Sequence, residues 1–303
     1  MKMKAAATGT FDGVHLGHLK VLSTLKEEAA ERDLEPIAVT FDRHPLSLIA
    51  PERAPGAITT IERKEKLISR AGVRPVVVAF DEKMRAMTAA EWMKFLHDDL
   101  GVRLLIVGYD NTFGSDGINF SISDYARIGK ETGIEVKEAP VVPDVSSSAV
   151  RKAVKAGNPE GAMKILGRPF SLSGMVVEGN MLGRNLGFPT ANLLPTPGII
   201  VPGNGVYAGR GILPDGTTVP AMINIGVRPT IGRGNTPTIE AHLINWKGDL
   251  YGRRIRLEFI GRLRDEQQFK SIDALRRQLS ADREAALREI EKYKKENPSK
   301  QRP

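Results

Sequence analysis

The chain contains no cysteine among its 303 residues, so disulfides and thiolate-bound metal sites are excluded. Aromatic residues make up only 6% of it, which argues against a surface on which nucleic-acid bases stack. No apolar run approaches the roughly 20 residues of a membrane helix. The opening MKMKAAATGTF has an apolar run too short for a signal peptide and is typical of a first strand. We therefore expect a cytoplasmic protein with neither a membrane nor a nucleic-acid partner.

The chain does have the length for two domains, and its charge is unevenly distributed. A hydrophobic content of 41% over 303 residues is enough for two separate cores. Residues 1–167 carry 23 basic and 23 acidic side chains, whereas residues 168–303 carry 21 and 13. The net charge of +8 therefore lies in the second half. Such a half suits an anionic partner, either nucleotide phosphates or nucleic acid.

The first half alternates between strand and helix patterns. After the N-terminal strand, short apolar or alternating runs predict further strands at residues 37–41, 75–80, 104–108 and 135–140. Helical patterns lie between them, at residues 18–31, 60–70, 88–100 and 121–132. This alternation predicts a doubly wound α/β domain that binds its ligands at the carboxyl ends of the strands.

After residue 167 the pattern changes. Glycine and proline become dense, and short β-like segments appear at residues 173–177, 205–209, 219–225, 238–244 and 255–260. Turn signals such as PDG at residues 214–216 separate them. We predict a small antiparallel β-barrel or sandwich, followed by one amphipathic helix over residues 272–293. The sequence thus predicts two domains, residues 1–167 and 168–303.

A segment with two histidines, GTFDGVHLGH at residues 9–18, follows the first strand. A metal site and a packed histidine pair are two explanations, but the chain lacks an HExxH spacing and any cysteine. Gly9, Gly13 and Gly17 bracket His15 and His18, and such glycines let backbone N–H groups approach a phosphate at a helix N-terminus. Imidazoles there can stabilise charge that develops on a phosphoryl group.

A second segment, SSSAVR at residues 146–151, places hydroxyls before a helix and an arginine in its first turn. One serine suffices for an N-cap. Three serines and a guanidinium favour a site that holds pyrophosphate. The two segments together indicate phosphate chemistry on the first domain.

The second domain carries its own candidate residues. GRNLGFPTAN at residues 183–192 offers glycines, the Thr190 hydroxyl and the Asn192 carbonyl for phosphates and Mg²⁺, although a turn between two strands would look the same. Glu240, in TIEAH at residues 238–242, either faces solvent or acts as a base for an alcohol.

These motifs resemble those of a known family. GTFDGVHLGH is similar to the HxGH-type signature of nucleotidylyl transferases, and SSSAVR to their second phosphate-binding motif. VTFDRHP at residues 39–45 and VGYDNTFG at residues 107–114 resemble the FAD synthetase half of bacterial bifunctional riboflavin kinase/FAD synthetases. GRNLGFPTAN resembles the PTAN motif of the riboflavin kinase half, and TIEAH the segment that carries its catalytic glutamate.

The resemblance implies a Rossmann-like nucleotidylyl transferase domain at residues 1–167 and a riboflavin kinase barrel at residues 168–303. It also implies ATP, riboflavin and FMN as substrates and Mg²⁺ as cofactor. The catalytic residues it implies are His15, His18 and Glu240. Those for ATP and its phosphates are Gly9, Phe11, Gly13, Gly17, Ser147, Ser148, Arg151, Gly183, Arg184, Thr190 and Asn192. Those for flavin are His44, Asp110, Arg264 and Phe269, and those for the metal are Thr190 and Asn192.

Two other functions stay open at this point. Asn111 stands where an aromatic is common in the family, and few basic residues follow Gly114, so a chain that acts only as a kinase is one alternative. The basic second half and its short strands permit a nucleic-acid-binding protein as the other.

Overall fold

A computed structural model describes residues 2–109, 111–179, 183, 186–230 and 234–298, with the backbone alone at residues 228–230 and 234–236. The chain divides into two compact units, Met1–Ser147 and Ser148–Pro303. Among the described residues, no helix is both long and apolar enough to cross a membrane.

The first unit is built on a parallel sheet of five strands in the order β3-β2-β1-β4-β5. The strands are β1 (Lys4–Thr8), β2 (Glu35–Phe41), β3 (Arg74–Val78), β4 (Val102–Val107) and β5 (Glu135–Glu138). Strand β1 is central, and its neighbours β2 and β4 continue the chain in opposite directions from it. The carboxyl end of β1 is therefore the switch point at which such sheets bind ligands.

Helices cover both faces of this sheet. Helices α1 (Leu16–Glu31) and α3 (Ile61–Arg70) pack on one face, and α5 (Ala89–Asp98) and α6 (Ile122–Thr132) pack on the other. The short helices α2 (Leu46–Ile49) and α4 (Glu82–Ala86) lie in the connections between strands. Alternate residues of β1 enter two different cores: Ala5 and Ala7 pack with α1 and α3, whereas Ala6 packs with α5 and α6. Small side chains on the central strand allow helices to approach it from both sides.

The second unit contains a closed antiparallel barrel of six strands in the order β10-β7-β6-β11-β8-β9. The strands are β6 (Phe170–Val177), β7 (Ala191–Pro195), β8 (Gly205–Ile212), β9 (Thr218–Thr230), β10 (Gly234–Leu243) and β11 (Arg254–Arg264). Helix α7 (Ser147–Lys155), whose first residue belongs to the first unit, and helix α8 (Pro159–Leu166) precede the barrel, and α9 (Ile272–Glu296) follows it.

Helix α9 packs against one face of the barrel. Ile290 and Tyr293 are at most 4% exposed, and they pack with Val206 and Ala208, which alternate along β8. Burial of each large apolar side chain contributes about 1.5–3 kcal/mol. The predicted fold class, an α/β domain followed by a small antiparallel barrel with a C-terminal helix, is confirmed.

Four elements were not expected from the sequence: the short helices α2 and α4, strand β7 and helix α8. Strand β7 (Ala191–Pro195) was not expected, because its five residues follow a glycine-rich motif that is typical of a loop. Helix α8 was not expected either, although its signals are in the sequence: Asn158 caps it, Pro159 opens it and Gly167, in the left-handed region, ends it.

Candidate active sites

The loop after β1 adopts a conformation that most side chains avoid. Phe11 and Val14 have positive φ angles of 46° and 40°, and Gly13 has one of 81°. Left-handed backbone at a non-glycine residue costs about 1–3 kcal/mol and is typical of functional sites. The strain lies immediately before the two histidines.

Buried side chains hold this loop in place. The Asp12 carboxylate, 7% exposed, accepts hydrogen bonds from the backbone N–H groups of Ile58 and Thr59, at 2.9–3.2 Å. The Gly13 N–H donates to the Thr59 hydroxyl at 3.2 Å. A Cβ on Gly13 would lie 3.1 Å from the Ile58 side chain, so a glycine is needed for space as well as for its φ angle.

Lys64 provides a second clamp on the same loop. Its Nζ donates to the carbonyl of Thr10 at 3.1 Å and to that of Phe41 at 2.8 Å, and the Thr40 hydroxyl also donates to the Thr10 carbonyl. Desolvation lowers the pKa of Lys64 to about 8, against an opposing contribution from Asp12. An ammonium group is therefore buried where β1 and β2 end.

The two histidines form a compact pair at the start of α1. His15 is the N-cap, and its Nδ1 accepts the His18 N–H at 3.3 Å. The two rings stack with centroids 3.6 Å apart and an interplanar angle of 15°. A Cβ on Gly17 would lie 3.2 Å from the His15 ring, which explains a glycine inside the first turn. Nδ1 of His15 already accepts a hydrogen bond, so its lone pair is not available to a metal ion.

The structure brings one residue of the serine segment to this loop. Ser147, the first residue of α7, donates from Oγ to the Asp12 carbonyl at 2.9 Å. Ser148 is exposed and Arg151 is buried, and both belong to the second unit.

The other candidates of the first unit have separate positions. A Cβ on Gly9 would lie 3.7 Å from the Phe11 ring and 3.8 Å from the Asn111 amide, whose Nδ2 donates to the Thr8 carbonyl. His44 uses Nδ1 to accept the Leu46 N–H at 3.1 Å, at the start of α2. Asp110 lies outside the described residues. The structure therefore assigns a contact at the end of β1 to Asn111, a residue that sequence reasoning noted only as a departure from the family.

The second unit contains a cavity of about 320 Å³ beneath α9. Polar and apolar walls meet in it: Glu240, Asn224 and Thr190 line it together with Phe188, Met222 and Leu279. Gly183, Arg264 and Phe269, three further candidates from the sequence, also line it. Its volume is within the range of small-molecule sites.

Glu240 stands between two asparagines across the sheet. It pairs with Asn192 of β7 on one side and with Asn224 of β9 on the other. The Asn192 side chain lies against Gly179, where any Cβ would collide with it. The sheet thus brings Glu240 and Asn192, 48 residues apart in sequence, to directly opposite positions.

A second cavity, of about 490 Å³, adjoins the same motif. Its lining includes Pro189, Trp246, Asp249 and Tyr251. Thr190 lines both cavities. Sequence reasoning missed this second cavity, because its walls come from a turn after β10 that only the fold brings beside Thr190.

Arg264 is held at one wall of the first cavity. Its guanidinium makes a bidentate contact with Asp282 of α9, at 2.7–3.1 Å, and Gln278 donates to the same carboxylate at 2.8 Å. The Phe269 ring lies 5.8 Å from the Arg264 guanidinium carbon. Arg184 lies outside the described residues, and among those that are described no group of three or more His, Asp or Glu side chains is placed to hold a metal ion.

Two family models match this chain. The FAD synthetase model matches residues 1–152, and the riboflavin kinase model matches residues 166–290. The first range contains the strained loop, both histidines and Arg151, and the second contains both cavities.

Whole-chain comparisons agree with these matches. A bifunctional riboflavin kinase/FMN adenylyltransferase from Pseudomonas fluorescens is 38% identical, over 93% of this chain and 91% of its own. The enzyme of the same name from Escherichia coli K12 is 37% identical, over 90% and 88%. A solved structure from Streptococcus pneumoniae, described as a macrolide-efflux protein, is 29% identical with a TM-score of 0.85 over 94% of both chains. The chain belongs to the bifunctional riboflavin kinase/FMN adenylyltransferase family.

Proposed function

We propose that this chain phosphorylates riboflavin to FMN in its second unit and transfers an adenylyl group from ATP to FMN in the region matched by the FAD synthetase model. The observation that carries the proposal is that both matched regions contain a built site, the clamped histidine loop in one and the paired cavities around Thr190 in the other. An intact histidine loop favours both activities over a kinase-only enzyme.

In adenylyl transfer, an oxygen of the FMN phosphate attacks the α-phosphorus of ATP. A new P–O bond forms, the bond from the α-phosphorus to the bridging oxygen breaks, and pyrophosphate leaves with both electrons of that bond. The FMN phosphate is already ionised near neutral pH and needs no base. His15 and His18 stabilise the charge that develops on the α-phosphate. Ser147, Ser148 and Arg151 hold the departing pyrophosphate.

The loop glycines serve the same reaction. Gly13 and Gly17 allow the loop to pack against Ile58 and the His15 ring, Gly9 lies next to Phe11, and the N-terminus of α1 contributes its partial positive charge. Lys64 and Asp12 maintain the strained backbone through their hydrogen bonds to main-chain groups.

In the kinase reaction, Glu240 accepts the proton of the riboflavin 5′-hydroxyl as its oxygen attacks the γ-phosphorus of ATP, and ADP leaves. The Thr190 hydroxyl and the Asn192 carbonyl are hard oxygen donors of the kind Mg²⁺ prefers, and these two residues would hold the ion. When bound, Mg²⁺ neutralises phosphate charge. Thr190 and Asn192 then orient the γ-phosphate toward the hydroxyl.

The two cavities suit the two kinase substrates. We assign riboflavin to the cavity of about 320 Å³, whose Leu279 and Phe269 offer apolar surface to a flat ring and whose Glu240 supplies the base. We assign ATP to the cavity of about 490 Å³. Because Thr190 lines both, the γ-phosphate would be transferred where they meet.

Several expectations from the sequence stay predictions. These are the domain division at 167/168, the cytoplasmic location, the lack of a nucleic-acid partner, and flavin contacts by His44 and Asp110. The basic excess of the second half agrees with ATP as its anionic partner.

The purified chain, incubated with riboflavin, ATP and Mg²⁺, tests the proposal directly. Chromatography of samples taken over time should show FMN first and FAD later. FMN without FAD would restrict the chain to the kinase reaction, and the absence of both would refute the proposed function.

A further inference from the structure

His242 is a buried histidine at the kinase cavity that the proposed reaction does not use. It follows Glu240 by two residues on β10, so both side chains leave the same face of the strand, and both line the first cavity. The residue is only 7% exposed. Its Nδ1 lies 2.8 Å from the carbonyl oxygen of Pro189. Because a carbonyl oxygen can only accept, Nδ1 carries the proton and donates it.

A second contact joins His242 to the preceding residue of that loop. The Phe188 ring packs against the imidazole in a T-shaped arrangement, with centroids 5.3 Å apart. The Arg283 guanidinium carbon lies 5.9 Å from the centroid of the Phe188 ring. His242 therefore holds two consecutive residues, and the next one is Thr190.

The backbone does not make this connection. The ladder between β10 and β7 consists of two pairs, Glu240 with Asn192 and Ala241 with Ala191. Continuing that register would place His242 opposite Thr190, but the pairing stops one residue short. Beyond the last backbone pair, the hydrogen bond from the imidazole to the Pro189 carbonyl connects β10 to the segment before β7.

We infer that His242 is a positioning residue for phosphoryl transfer: by holding Phe188 and Pro189, it fixes Thr190 relative to Glu240. The inference rests on the proposed function, in which Thr190 handles the ATP phosphates and Glu240 accepts the proton. A misplacement of about 1 Å between reacting groups can cost about a hundredfold in rate. Burial also lowers the pKa of His242, which keeps the ring neutral with a single N–H near pH 7.

Three substitutions in the full-length chain test this role. Asparagine places an amide N–H near the position of Nδ1, whereas glutamine places one near Nε2. We expect His242→Ala to raise KM for ATP or lower kcat by about ten- to hundredfold. His242→Asn should recover most of that loss and His242→Gln should not. FAD formation from supplied FMN should be unchanged in all three.

The inference is overturned if His242→Ala keeps wild-type kinase constants. Rescue by glutamine rather than asparagine also overturns it, because the imidazole would then act through Nε2. If all three variants lose kinase activity together with the cooperative thermal unfolding of the barrel, His242 is a packing residue only. Failure of the proposed function has a different signature: Thr190→Ala or Glu240→Gln would then make FMN normally, whatever the His242 variants do.

Discussion

His15 and His18 act as one unit because each restrains the other. The Nδ1 of His15 accepts the His18 N–H, and the two rings stack with centroids 3.6 Å apart. His15 caps α1 and directly follows the strained loop, so its side chain has little freedom of rotation. Such pre-organisation is what the stabilisation of transition-state charge requires.

Replacing His18 with alanine should lower FAD formation from FMN by about a hundred- to a thousandfold, because one preorganised donor is lost. FMN formation from riboflavin should be unchanged, since the kinase residues are in the other unit. Steady-state assays of each reaction measure this. His97→Ala is the matched control, because that imidazole pairs with Asp98 on α5 and should leave both rates unaffected. Equal loss of both activities in His18→Ala would contradict the assignment.

The buried ammonium of Lys64 predicts a pH dependence of stability. Its pKa falls from 10.5 in the unfolded chain to about 8 in the folded protein, so the unfolded state binds more protons between those values. The free energy of unfolding should therefore rise with pH in that window. The cost of burying the charge is fully present below pH 8, at about 3 kcal/mol, and disappears as pH approaches 10.5.

Urea unfolding of the first unit between pH 7 and pH 10 measures this effect. Trp92 reports on that unit in a Trp246→Phe background, which removes the other tryptophan. The stability of the wild-type Lys64 chain relative to Lys64→Met should increase with pH. Lys66→Met, an exposed change on the same helix, should show no such trend. If the difference in unfolding free energy between the Lys64 chain and Lys64→Met is the same at pH 7 and pH 10, the Lys64 ammonium is not desolvated.

At the scale of elements, α9 both packs against the barrel and restrains a wall of the cavity of about 320 Å³. Asp282, 3% exposed, holds Arg264 at the end of β11 through a bidentate contact. Asp282→Ala should lower the stability of the second unit by about 3–5 kcal/mol, because it leaves a largely buried guanidinium without its partner. It should also raise KM for riboflavin, since Arg264 is released.

Glu284→Ala on the same helix is the control. Its partner Arg288 is 4.0 Å away and both side chains are exposed, so stability and KM should not change. Thermal unfolding and riboflavin titration read out the comparison. An Asp282→Ala chain as stable as Glu284→Ala would mean that the contact contributes nothing to the cavity wall.

Periodic elements were predictable from the sequence, whereas elements defined by tertiary contacts were not. Helix α1 and strand β2 have the periodicity of their class, so their positions were predicted within two residues. Strand β7 has only five residues and exists because β6 and β10 pair with it. Whether these five residues form a strand depends on partner strands far along the chain, so the local sequence does not predict it.

The same distinction holds for the sites. Motif spacing indicated His15 and His18, because phosphate chemistry constrains residue type and spacing together. Thr190 and Glu240 were indicated by the resemblance to a known family, since spacing alone also fitted a turn and a solvent-facing residue. His242 carries no such spacing, and its role depends on a carbonyl 53 residues away. Its one signal was its place on the same strand face as Glu240.

For the molecule as a whole, two proposed sites that share no residue predict that the two reactions can be divided between chains. A Glu240→Gln chain should lose FMN formation by about two to four powers of ten but still convert supplied FMN to FAD. A His18→Ala chain should do the opposite. Mixed in equal amounts with riboflavin and ATP, the two variants should therefore make FAD through FMN released into solution. The rate should rise with the concentration of the mixture, because FMN must diffuse between molecules. FAD formation far below that of a mixture supplied with free FMN would instead indicate that each chain retains its own FMN.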